Sequence, residues 1–276
     1  MKRSRDGDPP AHQRSAPAPQ APLEPRAAAP PRAPLPPLPK HPFATDYNDH
    51  FETPLQAVAD LLPALDALCA HLGRSRATLR VWDPFYCAGG MARHLAKLGF
   101  AAAIHRNEDF YGVIAARGAP PFDVLLTNPP YSGDHKERVL AHAVASGAPF
   151  LLLLPAYCAG RAWWGSRAAA AAPFFAAPPR AYHFEHPQGT GKGAPLFESL
   201  WYASAGAGGF PLRERWAAAL PPPPAPRLRL LDSVEQLADA KLVAKGKRGN
   251  PRQRAKARQR AMEGAGGGGG GGGARG

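Results

Sequence analysis

Cysteine, acid and long apolar runs are all scarce in this chain, and each shortage excludes something. Its 276 residues hold three cysteines, Cys69, Cys87 and Cys158, too few and too scattered for a disulfide framework or a cysteine metal cluster. That fits a reducing compartment. The ten histidines show no ligand spacing, so no metal site is expected. No segment approaches the ~18 continuous apolar residues of a membrane span, and no secretory apolar core is visible. Acidic residues number 21 against 34 Lys and Arg, a formal charge of +13. So strong a basic excess points to a nucleic-acid partner. The opening Met1–Arg5 is basic, but Asp6 and Asp8 follow at once and argue against a transit peptide. Nuclear or cytoplasmic residence is the expectation, with an organelle left open.

Proline and glycine, by contrast, are abundant and punctuate the chain. Residues 1–42 are rich in Pro, Ala and Arg without apolar periodicity, and are expected to form a disordered, partly polyproline arm. Residues 43–210 carry the patterned segments of one α/β domain. Residues 211–231, with Pro221–Pro224, are expected to be a linker, and 232–276 a short helix capped by Ser233 followed by a tail. Nine of the Lys and Arg residues fall between Lys241 and Arg260 with no acid among them. Such a run attracts nucleic acid without sequence preference or serves as an import signal. The closing glycines are expected to be disordered.

Within the domain, Leu55, Val58, Leu61, Leu62, Leu65 and Leu68 recur at helical spacing, with Thr53 a good cap, Pro54 suited to the first turn and Pro63 kinking or shortening the helix. Thr78–Trp82 reads as a first strand, then a loop holding Gly89 and Gly90, then a helix over 91–98. Strand, glycine loop and helix make a nucleotide-binding unit. Phe100–His105 is expected as a second strand. Phe122–Thr127 is a third, Lys136–Ala145 a helix, and Phe150–Leu154 a strand buried on both faces. Arg180–His186 and Leu196–Tyr202 are expected as a closing strand pair, linked by a Gly-rich loop with Lys192 that fails the Walker spacing. Tyr157, Trp163 and Trp164, near Arg161 and Arg167, are expected in a loop, either to stack on bases or to close the core. Ser132, Asp134 and His135 sit too close in sequence to form a hydrolytic triad.

The chain is organised around Asn128-Pro129-Pro130-Tyr131. The double proline ends the buried strand before it, so Asn128 falls at a strand's carboxyl end, where open α/β sheets bind ligands. The Asn side-chain oxygen and the Pro129 carbonyl are two acceptors on a stiff backbone, suited to both hydrogens of a planar amino group. Tyr131 would stack on the ring that bears it. A strand end closed by a Pro-Pro turn, with Tyr131 an ordinary packed aromatic, explains the same residues.

This tetrapeptide after Asp123 resembles the catalytic motif of the S-adenosylmethionine-dependent amino-methyltransferases, notably the gamma-type adenine-specific enzymes and those that methylate a glutamine amide. The resemblance covers roughly residues 43–210 and implies a Rossmann-like class I methyltransferase fold: a mostly parallel sheet with a closing antiparallel strand pair. It implies that Asn128, Pro129, Pro130 and Tyr131 are catalytic. It also implies S-adenosylmethionine as cofactor, held by Thr53 and Pro54 (with Phe51 a weaker candidate), by Asp83, Phe85 and Gly89, and by Glu108, Asp109 and Phe110. In it Asp83 lies at the methionine end, Glu108 on the ribose and Asp109–Phe110 at the adenine. Cys87 stands where the family's first glycine is usual. The implied activity is methyl transfer to an exocyclic amino group, first that of adenine in RNA or DNA. A protein glutamine amide is the alternative acceptor. A non-catalytic nucleic-acid-binding protein on a degenerate methyltransferase scaffold is the alternative class.

Overall fold

The computed structural model describes residues 39–46, 49–116, 118–187 and 198–243. The periodic stretch after Pro54 forms two helices, α1 (Leu55–Ala59) and α2 (Leu62–His71), because Pro63 falls in the first turn of the second. There a missing N–H costs nothing. Thr53 makes no capping bond; Pro54 is the residue before α1, and Thr53 is buried instead. The first strand, β1, is Val81–Trp82, and α3 (Gly90–Lys97) follows the glycine loop.

Phe100–His105 is not a strand. One parallel bridge, Trp82 with Ile104, replaces it. Ile104 N–H donates to the Val81 carbonyl (2.7 Å) and Asp83 N–H to the Ile104 carbonyl (2.9 Å). Ala101–Ala103 supply too little side chain to hold a longer ladder. A short helix α4 (Phe110–Ala115) leads to β2 (Val124–Thr127), α5 (His135–Ser146) and β3 (Phe150–Pro155), the last buried throughout. The expected aromatic loop is a 3-10 turn and then α6 (Ala162–Ala168). Trp164 packs edge-on to Tyr202 at 4.6 Å and is core, while Tyr157 stays exposed under the Arg161 guanidinium.

The closing strands are β4 (Phe174–Ala177) and β5 (Ser199–Ser204); residues 180–186 pair only through a Glu52–Glu185 bridge. The expected linker is folded. It contains α7 (Leu212–Ala219), with Trp216 fully buried, and β6 (Arg229–Leu231), which pairs with β4. Helix α8 (Val234–Asp239) ends the described chain, with Ser233 Oγ accepting from Gln236 N–H as a cap.

The sheet runs β1-β2-β3-β5-β4-β6. The β1–β2 and β2–β3 pairings are parallel and the other three antiparallel, so it is a mixed sheet rather than a mostly parallel one. Strand alternation sorts side chains onto two faces. Val81, Leu126, Leu151, Leu153 and Trp201 pack with α1, α2, α3 and α7; Trp82, Leu125, Leu152, Leu154 and Tyr202 pack with α5 and α6. The result is helix, sheet, helix in three layers, and the parallel strands β1 and β2 end on one common edge. No helix among the described residues is long and apolar enough to cross a membrane. The Lys192 loop and the basic run beyond Val243 lie outside the described residues.

Candidate functional site

The parallel register sets the site. Val81 pairs with Val124 and Trp82 with Leu125, so the residues just past β1 and β2 meet. Thr127 Oγ1 donates to Asp83 Oδ1 at 2.5 Å, and the Phe85 N–H donates to the same oxygen at 3.3 Å. Both residues are buried. On the other side, His105 Nδ1 lies 3.2 Å from Asp83 Oδ2 and 3.1 Å from the Asp83 carbonyl, while Nε2 lies 3.1 Å from the Tyr86 carbonyl. Burial works against charge on this imidazole, but the Asp83 carboxylate and the carbonyl acceptors outweigh it and raise its pKa. A histidine with acceptors at both nitrogens holds both protons, so Asp83 and His105 form a buried ion pair under the loop.

Asn128 follows directly. Its Oδ1 is buried and has no hydrogen-bond partner. A buried amide oxygen left unpaired costs about 1–3 kcal/mol, which is tolerated where a ligand supplies the partner. Asn128 borders a cavity of about 180 Å³ together with Thr53, Phe51, Asp83, Phe85, Glu108, Asp109, Phe110 and Pro130. Eight of the twelve predicted site residues therefore converge: Thr53, Asp83, Phe85, Glu108, Asp109, Phe110, Asn128 and Pro130. Pro54, Gly89, Pro129 and Tyr131 do not line it. Tyr131 points toward the sheet instead, its hydroxyl donating to the Leu153 carbonyl at 3.2 Å, so it anchors the turn. Asp109 caps α4, accepting from Tyr111 N–H (3.1 Å) and Gly112 N–H (3.0 Å). Glu108 is exposed, 3.9 Å from Arg106.

Ser132, Asp134 and His135 turn to separate partners: Ser132 to Asp49, Asp134 to Arg138, and His135 Nδ1 to the Tyr111 hydroxyl at 2.5 Å. Lys136, almost buried, donates to the Tyr131 and Ser132 carbonyls and so clamps the turn that carries Asn128.

Three features escaped sequence reasoning. Residues 40–46 and 49–52 form a strap along the cavity. His41 Nδ1 is 2.7 Å from Asn107 Oδ1, and the Asp49 carboxylate takes the Ser132 N–H at 3.2 Å. At the far end, Glu52 Oε1 accepts from Ala88 N–H (2.9 Å) and Gly90 N–H (3.3 Å), filling the N-terminus of α3. A Cβ at Gly90 would fall 1.8 Å from Glu52 Oε2, so glycine there makes room for that carboxylate. The second feature is charge. The described lining includes Asp46, Asp49, Glu52, Asp83, Glu108 and Asp109 but no Lys or Arg. Nothing in the periodicity announces it, because the acids come from three separate loops. The third is Thr127, whose only sequence signal is a hydroxyl closing an apolar strand.

Cys87 has φ +47, the left-handed region that suits the glycine the family pattern has there. Burial and the Glu52 carboxylate push its thiol up to about 12. The thiolate is the reactive form, so Cys87 is expected to resist alkylation at pH 8 in the folded protein and react on unfolding; mass spectrometry after iodoacetamide checks this. Prompt modification of folded protein at Cys87 would make it a candidate nucleophile.

No protein-family model matches the chain, and no curated protein matches it in sequence.

Proposed function

We propose that this chain is an S-adenosylmethionine-dependent N-methyltransferase on a Rossmann-like class I methyltransferase fold, acting on a planar exocyclic amino group. One observation carries the reading: a buried, partnerless amide oxygen, Asn128 Oδ1, at the end of a parallel strand and in the same cavity as Asp83. The donor brings a sulfonium-bound methyl group. A cavity lined by carboxylates and free of Lys and Arg among its described residues suits that cationic centre. The aromatic borders, Phe85, Phe110 and Tyr111, offer faces for a nucleoside ring.

Asn128 Oδ1 would accept one N–H of the acceptor amine and orient its lone pair; the donor would supply the methyl group, its sulfonium leaving as a neutral thioether, and the surplus proton on the methylated nitrogen would pass to water as the product leaves. The protein's part is positioning and exclusion of water, without a covalent intermediate. Asp83, fixed by Thr127 and His105, orients the donor's amino-acid end.

Adenine in RNA or DNA is the first acceptor, with residues 241–260 as the electrostatic attachment. A glutamine amide is the second reading, favoured by the same carboxylate lining, which repels a phosphate backbone brought close. Titration calorimetry tests the reading. Wild type is expected to bind S-adenosylmethionine, and Asp83→Ala to weaken it at least tenfold. That substitution also removes the charge holding His105 protonated, so the loop loses two contacts at once. A folded wild type that binds no donor would instead support the scaffold reading. Labelled-methyl transfer to RNA, DNA and protein substrates then separates the acceptors, with loss at raised salt expected only for nucleic acid.

A further inference from the structure

We propose that His50, with His41 beside it, holds the carboxylate of the donor's amino-acid end; this rests on the S-adenosylmethionine reading. An amino-acid end brings an ammonium and a carboxylate into the cavity. The ammonium finds acceptors among six carboxylates, but the carboxylate needs N–H donors, and no Lys or Arg borders the cavity among the described residues. The backbone amides of Ala88 and Gly90, at the helix N-terminus, are occupied by Glu52. Of the four histidines that line the cavity, His105 has acceptors at both nitrogens, and His135 Nδ1 is engaged with the Tyr111 hydroxyl.

Two other nitrogens stand out by burial. His50 Nδ1 and His41 Nε2 are both buried and without a hydrogen-bond partner. Their rings lie 5.0 Å apart between centroids, and both border the cavity. His50 is only 6% exposed, so water does not readily satisfy it. His50 Nδ1 donates to a carboxylate in the tautomer that places its proton there; His41, whose Nδ1 proton is directed at Asn107 Oδ1, adds a second donor at Nε2 only once the bound carboxylate has drawn a proton onto that ring. The strap that carries them is tied to the glycine loop by Glu52 and to the Asn128 turn by Asp49, so a carboxylate held there lies between the two halves of the site.

The groups facing His50 are His41 and His186, which oppose its protonation, and Asp46 and Asp49, which favour it; burial is the largest influence, and the net pKa is lowered. A bound carboxylate adds a negative charge, so donor binding is expected to take up protons near neutral pH and to weaken as pH rises.

The experiment is a double-difference calorimetry of the full chain with S-adenosylmethionine and with its decarboxylated form, which keeps the sulfonium nucleoside and lacks only the carboxylate. For His50→Ala, the affinity ratio of the two ligands is expected to fall by roughly ten- to a hundred-fold from wild type, the scale of one charge-assisted hydrogen bond. His50→Gln, which keeps an N–H donor, is expected to restore part of the ratio, and it stands in if the alanine variant does not fold. An unchanged ratio, with both ligands weakened equally or neither affected, overturns the proposal and leaves His50 a packed histidine. Binding of neither ligand by folded wild type overturns the donor reading itself.

Discussion

Asn128→Ala is expected to lower the rate of methyl transfer by about 10²–10³-fold while leaving donor affinity within about twofold of wild type. The reason is positional. On the proposed reading Asn128, past β2, meets the acceptor, while the groups that meet the donor come from β1 and the strap of the same cavity. Its buried Oδ1 makes no hydrogen bond, so removing it breaks none in the unliganded protein. The loss falls on the acceptor alone, because only a bound amine uses that oxygen. The variant should even fold slightly more stably, since it relieves a buried unsatisfied acceptor. Single-turnover methyl transfer beside donor titration measures both quantities. A variant equally slow and equally poor at binding donor would mean that Asn128 shapes the cavity rather than meets the acceptor.

The separation between what sequence disclosed and what it concealed follows a physical line. Asp83 and Asn128 could be placed because each follows an apolar run that stops at proline, and prolines stop strands wherever they stand. Their convergence then required only that two parallel strands be neighbours, as β1 and β2 are. The strap could not be placed, since its residues carry no periodicity and are held by tertiary bonds alone, His41 to Asn107, Asp49 to Ser132 and Glu52 to the glycine loop. Tyr131 follows the motif in identity, and its hydroxyl finds the Leu153 carbonyl, so its side chain lies against the sheet and not along the cavity. Strand β4 was hidden by composition. Phe174–Ala177 is bracketed by Pro173 and Pro178, read as turn punctuation, yet both lie outside the ladder where their missing N–H groups break nothing. The alternation of Tyr182 and Phe184 looked more strand-like, but pairing is decided by which edge is open, and β5 takes β4.

Trp216→Ala is expected to destabilise the protein by about 3–5 kcal/mol, a fall in Tm of roughly 6–20 °C for a domain of this size. Proline-rich flanks at 211 and 221–224 make the surrounding stretch look like a tether, and a tether tolerates such a change within about 0.5 kcal/mol. The structure requires the opposite. Trp216 is fully buried on α7, edge-on to Phe174 with ring centroids 5.9 Å apart, in the core that also takes up α2. A second ring of nearly the same shape separates packing from polarity. Trp216 Nε1 is buried without a partner, so Trp216→Phe removes an unsatisfied N–H along with some volume and should cost far less than alanine. Equal losses for the two variants would assign the stability to a hydrogen bond made by the indole; negligible loss for both would detach residues 211–231 from the core. Losses in the expected order make α7 part of the folding unit, because β6 reaches β4 only through the chain that α7 packs down. Ending the domain at residue 210 would then remove α7 and the edge strand β6 and expose Phe174 and its neighbours, so the domain's core extends past that residue.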